Sequence, residues 1–293
     1  MGLKQYEAFA RTVALGSLTK AADALGYTQS GMSHLLSALE AELGFPVLIR
    51  SRSGVKLTAA GEALLPRIRE ILEKKREIDE LAAYLKGDAG GVVRVGAFTS
   101  VAVNWLPGIL KEYRKSHPAV EIRMLNGDYH DVEVWLQQGD IDVGFLALPG
   151  PEGVECMPLK EDPLMVILPK GHPLAAYERV PITLAVREPI ISLLQSSAQD
   201  VHRALDGAGI APDIRYVTKD DYAIIAMVKA GLGISIMPEL LLRGNDSDVI
   251  VRRLAPDASR TLALGFLRSR QHLPAVESFS RCVEQWVKEQ GNV

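Results

Sequence analysis

Residues 17–44 read SLTKAADALGYTQSGMSHLLSALEAELG, and this stretch decides the fold of the N-terminal part of the chain. Ser17 and Thr28 are residue types that cap helix N-termini, and Gly26 and Gly44 are the residue type that ends helices. Between these signals apolar residues recur at spacings of three and four, which is the pattern of a helix with one buried face. The stretch therefore predicts two short helices joined by a tight turn.

The second of these helices has an unusual outward face. Once its apolar stripe is set aside, the remaining residues are short, polar and nearly uncharged: Gln29, Ser30, Ser33, His34 and Ser37. A solvated helix face would favour Glu and Lys instead. Base edges in the major groove are read by such hydrogen-bonding groups near a helix N-terminus, and Gln29 can bind adenine with two hydrogen bonds. We therefore expect contact with double-stranded DNA, with a helix-turn-helix that binds protein as the alternative.

The next segment, residues 45–58, predicts a short hairpin or wing, because apolar residues flank a central Ser-Gly pair. Arg50, Arg52 and Lys56 occur there without an acidic residue among them, so we expect phosphate or minor-groove contact, with a solvated loop as the alternative. The net charge of −3 for the whole chain argues against indiscriminate binding to nucleic acid.

A much longer helix is predicted to begin after Thr58. Apolar residues from Leu64 to Leu85 alternate steps of four and three with two interruptions, and this heptad pattern suits a dimerising helix. Pro66 lies inside the pattern and is expected to bend or shorten the first turns. Glycines at 87, 90 and 91 predict a flexible linker.

Beyond the linker, strand and helix signals alternate to the end of the chain, which predicts an α/β domain with a parallel sheet. Strands are expected at residues 92–97, 120–125, 141–148, 164–169, 188–194, 214–218, 233–238 and 262–267. The Pro-Gly-Pro at 149–151 offers a crossing point between two subdomains.

The chain carries no catalytic signature that a motif scan would find. It lacks a GxSxG elbow, a GxxxxGK[ST] loop and an HExxH motif. Its six histidines are scattered, and Cys156 and Cys282 lack CxxC spacing, so we predict no metal and no cofactor. There is no apolar run of about 18 residues and no signal peptide, which predicts a cytoplasmic protein without membrane contact.

The segments SLTKAADALGYTQSGMSHLLSALEAELG, LIRSRSGVKLTAAGEALL, KGHPLA and GLGISIMP together resemble the LysR-type transcriptional regulators over essentially the whole chain. The resemblance implies a winged helix-turn-helix, a linker helix that pairs two subunits, and an effector domain of two Rossmann-like subdomains similar to periplasmic binding proteins. It further implies a homotetramer that binds promoter DNA and responds to a small-molecule effector, with RNA polymerase as a candidate partner.

Carried over to this sequence, the resemblance divides the chain into a DNA-binding domain at 1–58, a linker helix at 59–87 and an effector-binding domain at 88–293. Subdomain I is expected at about 91–163 and 267–293, and subdomain II at about 164–266. Gly31 stands where Ala is usual, which should weaken the helix by roughly 0.5–1 kcal/mol. His34 stands where Arg is common, so a phosphate contact there would be weaker and more sensitive to pH.

In this family the effector usually lies between the subdomains. By position along the resemblance, the candidate effector-binding residues are Thr99, Ser100, Asp128, Tyr129, Leu148, Ser192, Gln195, Asp221 and Tyr222. Thr99 and Ser100 offer hydroxyl groups at a helix N-terminus, which can bind an anion, although Ser100 can equally serve as a plain cap.

Another function stays open at this point. The α/β part could be an enzyme or a solute-binding domain fused to a helix-turn-helix interaction module. A catalytic domain would turn over its ligand, whereas a sensor would bind it unchanged.

Overall fold

The computed structural model describes residues 2–51, 54–85, 90–194, 199–206, 211–244, 248–268, 270–271 and 273–290. The chain divides into two compact units, residues 1–86 and 87–293. Two predicted site residues, Arg52 and Gln195, lie outside the described residues.

The first unit contains three short helices, a hairpin and a long helix. Its elements are α1 (Leu3–Leu15), α2 (Leu18–Leu25), α3 (Gln29–Leu43), β1 (Leu48–Ser51), β2 (Gly54–Leu57) and α4 (Ala59–Leu85). Both predicted caps are confirmed: Ser17 Oγ accepts a hydrogen bond from Lys20 N at 3.3 Å, and Thr28 Oγ1 accepts one from Gly31 N at 3.1 Å. The hairpin is confirmed as well, because β1 and β2 pair antiparallel.

These helices share one apolar core. Its fully buried members include Phe9, Met32, Leu36 and Leu39. The start of α4 contributes to the same core. It crosses so close to the hairpin that a Cβ on Gly61 would lie 2.2 Å from Val47 O, and only glycine permits this approach.

The long helix α4 runs for 27 residues and contains Pro66. Pro66 does not shorten the first turns, because Leu65 and Ile68 on either side of the proline are 7% and 4% exposed and packing holds the helix there; the alternative, a bend, stays a prediction. Further along, apolar side chains are exposed at Ile71, Ile78 and Leu81.

The second unit begins with three parallel strands and their helices. These elements are β3 (Gly91–Ala97), α5 (Thr99–Asn104), α6 (Leu106–Ser116), β4 (Val120–Asn126), α7 (Tyr129–Gln138) and β5 (Val143–Ala147). A long strand, β6 (Val154–Leu168), follows.

A second group of elements continues the sheet from the far end of β6. They are a short 3-10 helix (Pro173–Ala176), β7 (Arg179–Pro181), α8 (Ile182–Ala185), β8 (Ile190–Leu193), α9 (Gln199–Asp206), β9 (Ile214–Thr218), α10 (Asp221–Lys229), β10 (Ser235–Pro238), α11 (Glu239–Leu242) and β11 (Ile250–Ala255). The chain returns through β12 (Ser259–Leu267) and ends with α12 (Pro274–Gln290). The main sheet has the strand order β4-β3-β5-β12-β6-β11-β7, with β10 also paired to β6, while β8 and β9 form a parallel pair of their own.

The sheet differs from the prediction in three respects. It is mixed rather than parallel, because β12 runs antiparallel to both β5 and β6. Since β12 belongs to the first group of strands, residues 259–266 do not belong to subdomain II as expected. The crossing between the two groups is made within β6, where pairing with β12 ends at Pro163 and pairing with β10 begins at Leu164, and not at residues 149–151.

Candidate functional site

Helix α3 presents the predicted DNA-contacting residues on one surface. Gln29, Ser30, His34 and Ser37 are exposed, and Ser33 is half-buried. They follow the Thr28 cap within the first three turns, while the opposite face of α3 is buried in the core. The first unit therefore offers an exposed polar helix face on a rigid support.

Arg50, on β1, lies against α3. Its Nη1 donates a hydrogen bond to Ser33 Oγ at 3.0 Å, and its Nη2 lies 3.6 Å from Glu40 Oε2. The other carboxylate oxygen of Glu40 accepts hydrogen bonds from Val47 N at 2.9 Å and Leu48 N at 3.2 Å. We call Ser33, Glu40 and Arg50 the brace, because they join the hairpin to α3.

Sequence reasoning missed Glu40 in this role. One signal existed: Glu40 follows Ser33 by two helical turns, so both lie on one helix face. Their contact with Arg50 depends on how the hairpin folds back. Lys56 is exposed on β2, opposite Ile49.

The second unit contains a cavity of about 260 Å³. It lies beside the carboxyl ends of β3, β4, β8 and β9, which is where open α/β sheets bind ligands. Six of the predicted effector-binding residues line it: Thr99, Ser100, Asp128, Tyr129, Ser192 and Asp221. Leu148 and Tyr222 do not belong to the lining. Tyr222 is 37% exposed, because it follows Asp221 by one residue and points to another side of α10.

Arg260, which belongs to a buried ion pair, forms part of the cavity wall. Arg260 Nε and Nη2 donate hydrogen bonds to Asp162 Oδ2 at 2.9 and 2.6 Å, and both residues are less than 5% exposed. Arg260 Nη2 also donates to Ser100 Oγ at 2.8 Å, and Nη1 donates to the Tyr129 hydroxyl group. The Phe98 ring lies 5.1 Å from the guanidinium carbon. Sequence reasoning missed Arg260, although a charged residue at the head of the apolar run RTLALGFL was a usable signal.

Asp221 is the first residue of α10 and is half-buried in the cavity wall. Burial raises the pKa of its carboxyl group, while a hydrogen bond from Thr99 and the positive charge of Arg260 act in the opposite direction. Lys219, two residues earlier, also lines the cavity and is exposed. It was not among the predicted residues.

Two further carboxylates line the cavity at the start of α7. Asp128 Oδ1 accepts a hydrogen bond from Asp131 N, and Asp131 Oδ2 accepts one from Asp128 N, both at 2.9 Å. This reciprocal arrangement caps the helix.

Within the described ranges, no helix is long and apolar enough to cross a membrane. The same residues contain no group of three or more His, Cys, Asp or Glu side chains that could hold a metal ion.

Comparison with known proteins accounts for both units. The family model described as "Bacterial regulatory helix-turn-helix protein, lysR family" matches residues 3–62, and that described as "LysR substrate binding domain" matches residues 86–288. The HTH-type transcriptional regulator YvbU of Bacillus subtilis (strain 168), itself uncharacterised, is 32% identical over 90% of this chain and 91% of its own length.

Two solved structures extend the comparison. Full-length CbnR in complex with its target DNA is 26% identical, with a TM-score of 0.58, over 98% of this chain and 100% of that chain. Full-length OxyR from Pseudomonas aeruginosa shows the same fold. It is 24% identical, with a TM-score of 0.75, over 97% of this chain and 98% of that chain.

The curated relatives are named as transcriptional regulators, not as enzymes. The substrate-binding-domain model alone covers more than half of the chain, and the helix-turn-helix model covers the unit that carries α3. The chain therefore belongs to the LysR family of DNA-binding transcriptional regulators, with an N-terminal helix-turn-helix and an effector-binding domain in the rest of the chain.

Proposed function

We propose that α3 enters the major groove of operator DNA and that its exposed polar face reads base edges. The proposed contacts are Gln29, Ser30, Ser33, His34 and Ser37 on α3 and Arg50, Arg52 and Lys56 on the hairpin. The observation that carries this proposal is an exposed, nearly uncharged helix face whose reverse side is locked in a core. The CbnR relative, which was solved on its target DNA, supports it.

Binding to the chain's own upstream DNA, titrated at several salt concentrations, tests this proposal. Gln29→Ala should weaken operator binding by about 1–3 kcal/mol and leave binding to random DNA nearly unchanged. Gln137→Ala, at an exposed position on α7, is the matched control and should bind like the unaltered chain. Equal losses on operator and random DNA for Gln29→Ala would contradict the base-reading role.

We propose that the cavity of the second unit is the effector site. Six predicted residues meet there around a buried ion pair, and the site combines apolar walls with a few polar groups, as small-molecule sites do. An effector that binds one arrangement of the two strand groups more tightly would shift the population toward it. Leu148, Gln195 and Tyr222 stay as secondary candidates for this site.

We further propose that the chain acts as a homotetramer in the cytoplasm, on promoter DNA and in contact with RNA polymerase. Apolar side chains are exposed on α4 and on the edge strands β4 and β9, among them Ile78, Met124 and Val217, and such side chains favour self-association. The proposed division is a DNA-binding domain at 1–58, a linker helix at 59–87 and an effector-binding domain at 88–293. Light scattering of the purified chain, with Ile78→Glu as the variant, tests the assembly.

A further inference from the structure

The hydrogen bonds already made within the cavity wall determine which polar groups are left for a ligand. Ser192 is 5% exposed and donates its hydroxyl proton to Leu193 O at 3.0 Å. This hydroxyl group has spent its only proton, so it can offer a ligand only an acceptor. Ser100 is different, because its oxygen accepts from Arg260 and its proton remains available.

Among the charged groups of the cavity wall, carboxylates outnumber the cations that are left for a ligand. Arg260 directs its N–H groups to Asp162, Ser100 and Tyr129, and its charge is paired with Asp162, so it is poorly placed to hold an anionic ligand. Among the described residues, the other charged side chains of the lining are Lys219, Asp128, Asp131 and Asp221. One exposed cation therefore stands against three carboxylates.

The carboxylates are not equivalent. Asp128 and Asp131 accept each other's backbone N–H at the start of α7. Asp221 makes no such bond as the cap of α10, because Asp220 accepts the N–H groups of Tyr222 and Ala223. Asp221 is thus a half-buried carboxylate in a wall where Thr99 and Ser192 offer neutral oxygen acceptors.

We propose that the effector is an organic amine whose protonated nitrogen binds Asp221 and whose apolar body packs on Ile236, Met237 and Leu241. An ammonium group has three N–H donors, and Asp221, Thr99 and Ser192 supply acceptors for them within one cavity. A plain carboxylate would bring its charge beside three others of the same sign. This inference rests on the proposed function of the cavity as the effector site.

Matched probes of one carbon skeleton test the inference on the full chain: phenethylamine, hydrocinnamate and phenethyl alcohol at equal millimolar concentrations. Phenethylamine should raise Tm, and the other two should raise it less or not at all. Its affinity should fall on acidification, because Asp221 must be ionised to bind it. A larger shift with hydrocinnamate would overturn the inference while leaving the cavity as an effector site. No shift with any of the three would count against both.

Asp221→Asn supplies the second arm. The amide can still accept from Thr99, so the variant should fold, and it should bind phenethylamine about 10–100-fold more weakly because a charge-assisted bond is lost. Glu152→Gln, which removes one exposed carboxylate outside the lining, is the matched control and should bind normally. Unchanged phenethylamine affinity in Asp221→Asn would overturn the inference even if the amine binds.

Discussion

The brace between α3 and the hairpin leads to a prediction about Glu40. Two substitutions of this residue separate the effect of its hydrogen bonds to the backbone from the effect of its negative charge. Glu40 has one carboxylate oxygen on two backbone N–H groups and the other near Arg50. Glu40→Gln keeps an oxygen acceptor for the backbone and removes the charge. Glu40→Ala removes both.

The expected losses of stability follow from how deeply the groups that contact Glu40 are buried. Val47 and Leu48 are 0% and 6% exposed, and a buried N–H without an acceptor costs about 1–3 kcal/mol. Because two such N–H groups lose their acceptor, Glu40→Ala should destabilise the first unit by about 2–6 kcal/mol. The ion pair is longer than a hydrogen bond and partly exposed, with side-chain exposures of 37% for Arg50 and 20% for Glu40. Such pairs contribute about 0.2–1 kcal/mol, so Glu40→Gln should cost no more than that.

Urea unfolding of the full chain measures the difference between the two variants, and hydrogen exchange of the peptide over residues 45–51 localises it. Exchange there should accelerate strongly in Glu40→Ala and little in Glu40→Gln. Glu40→Gln should also steepen the salt dependence of DNA binding, because it removes a negative charge beside Arg50. Equal destabilisation by both variants would refute the reasoning, since the backbone acceptor would then not be what matters.

Other predictions concern single positions. Gly31→Ala should raise the stability of the first unit by about 0.5–1 kcal/mol, measured by Tm, provided that the Thr28 hydroxyl group, 3.2 Å from the new Cβ, gives way. Arg260→Ala should cost about 3–5 kcal/mol in urea unfolding, because it leaves Asp162 charged and unpaired, and replacing both by apolar residues should restore much of the loss. Since burial raises the pKa of Asp221, the ionised form disfavours folding. Asp221→Asn should therefore stabilise the chain, by a margin in Tm that grows as pH rises through this pKa and vanishes in acid.

The sequence predicted α3 and its outward face well because the determining signals are local. The cap at Thr28, the apolar spacing and the closing Gly44 all lie within one helix, and each acts over three or four residues. The hairpin and the start of α4 at Ala59 were predictable for the same reason.

Only some of the residues that line the cavity could be predicted, because residues that contact one another there are remote in sequence. Arg260 contacts Asp162 and Ser100, which lie 98 and 160 residues away, and no periodicity links them. The first part of β6 was missed for a different reason: Pro158 and Pro163 are turn signals, and strand pairing with β12 overrides them.

The long strand β6 has a mechanical consequence for effector sensing. Residues 154–168 are one continuous strand, paired with β12 over its first part and with β10 and β11 over its last part. The two groups of strands are therefore joined through one continuous strand. Any rotation of one group relative to the other must twist β6. Pro158 and Pro163 lack an N–H to donate to a ladder, and the register shifts between Leu262 and Ala263, so we expect β6 to twist more easily over that span. We expect an effector to change the sheet twist there by small angles, with little translation of either group.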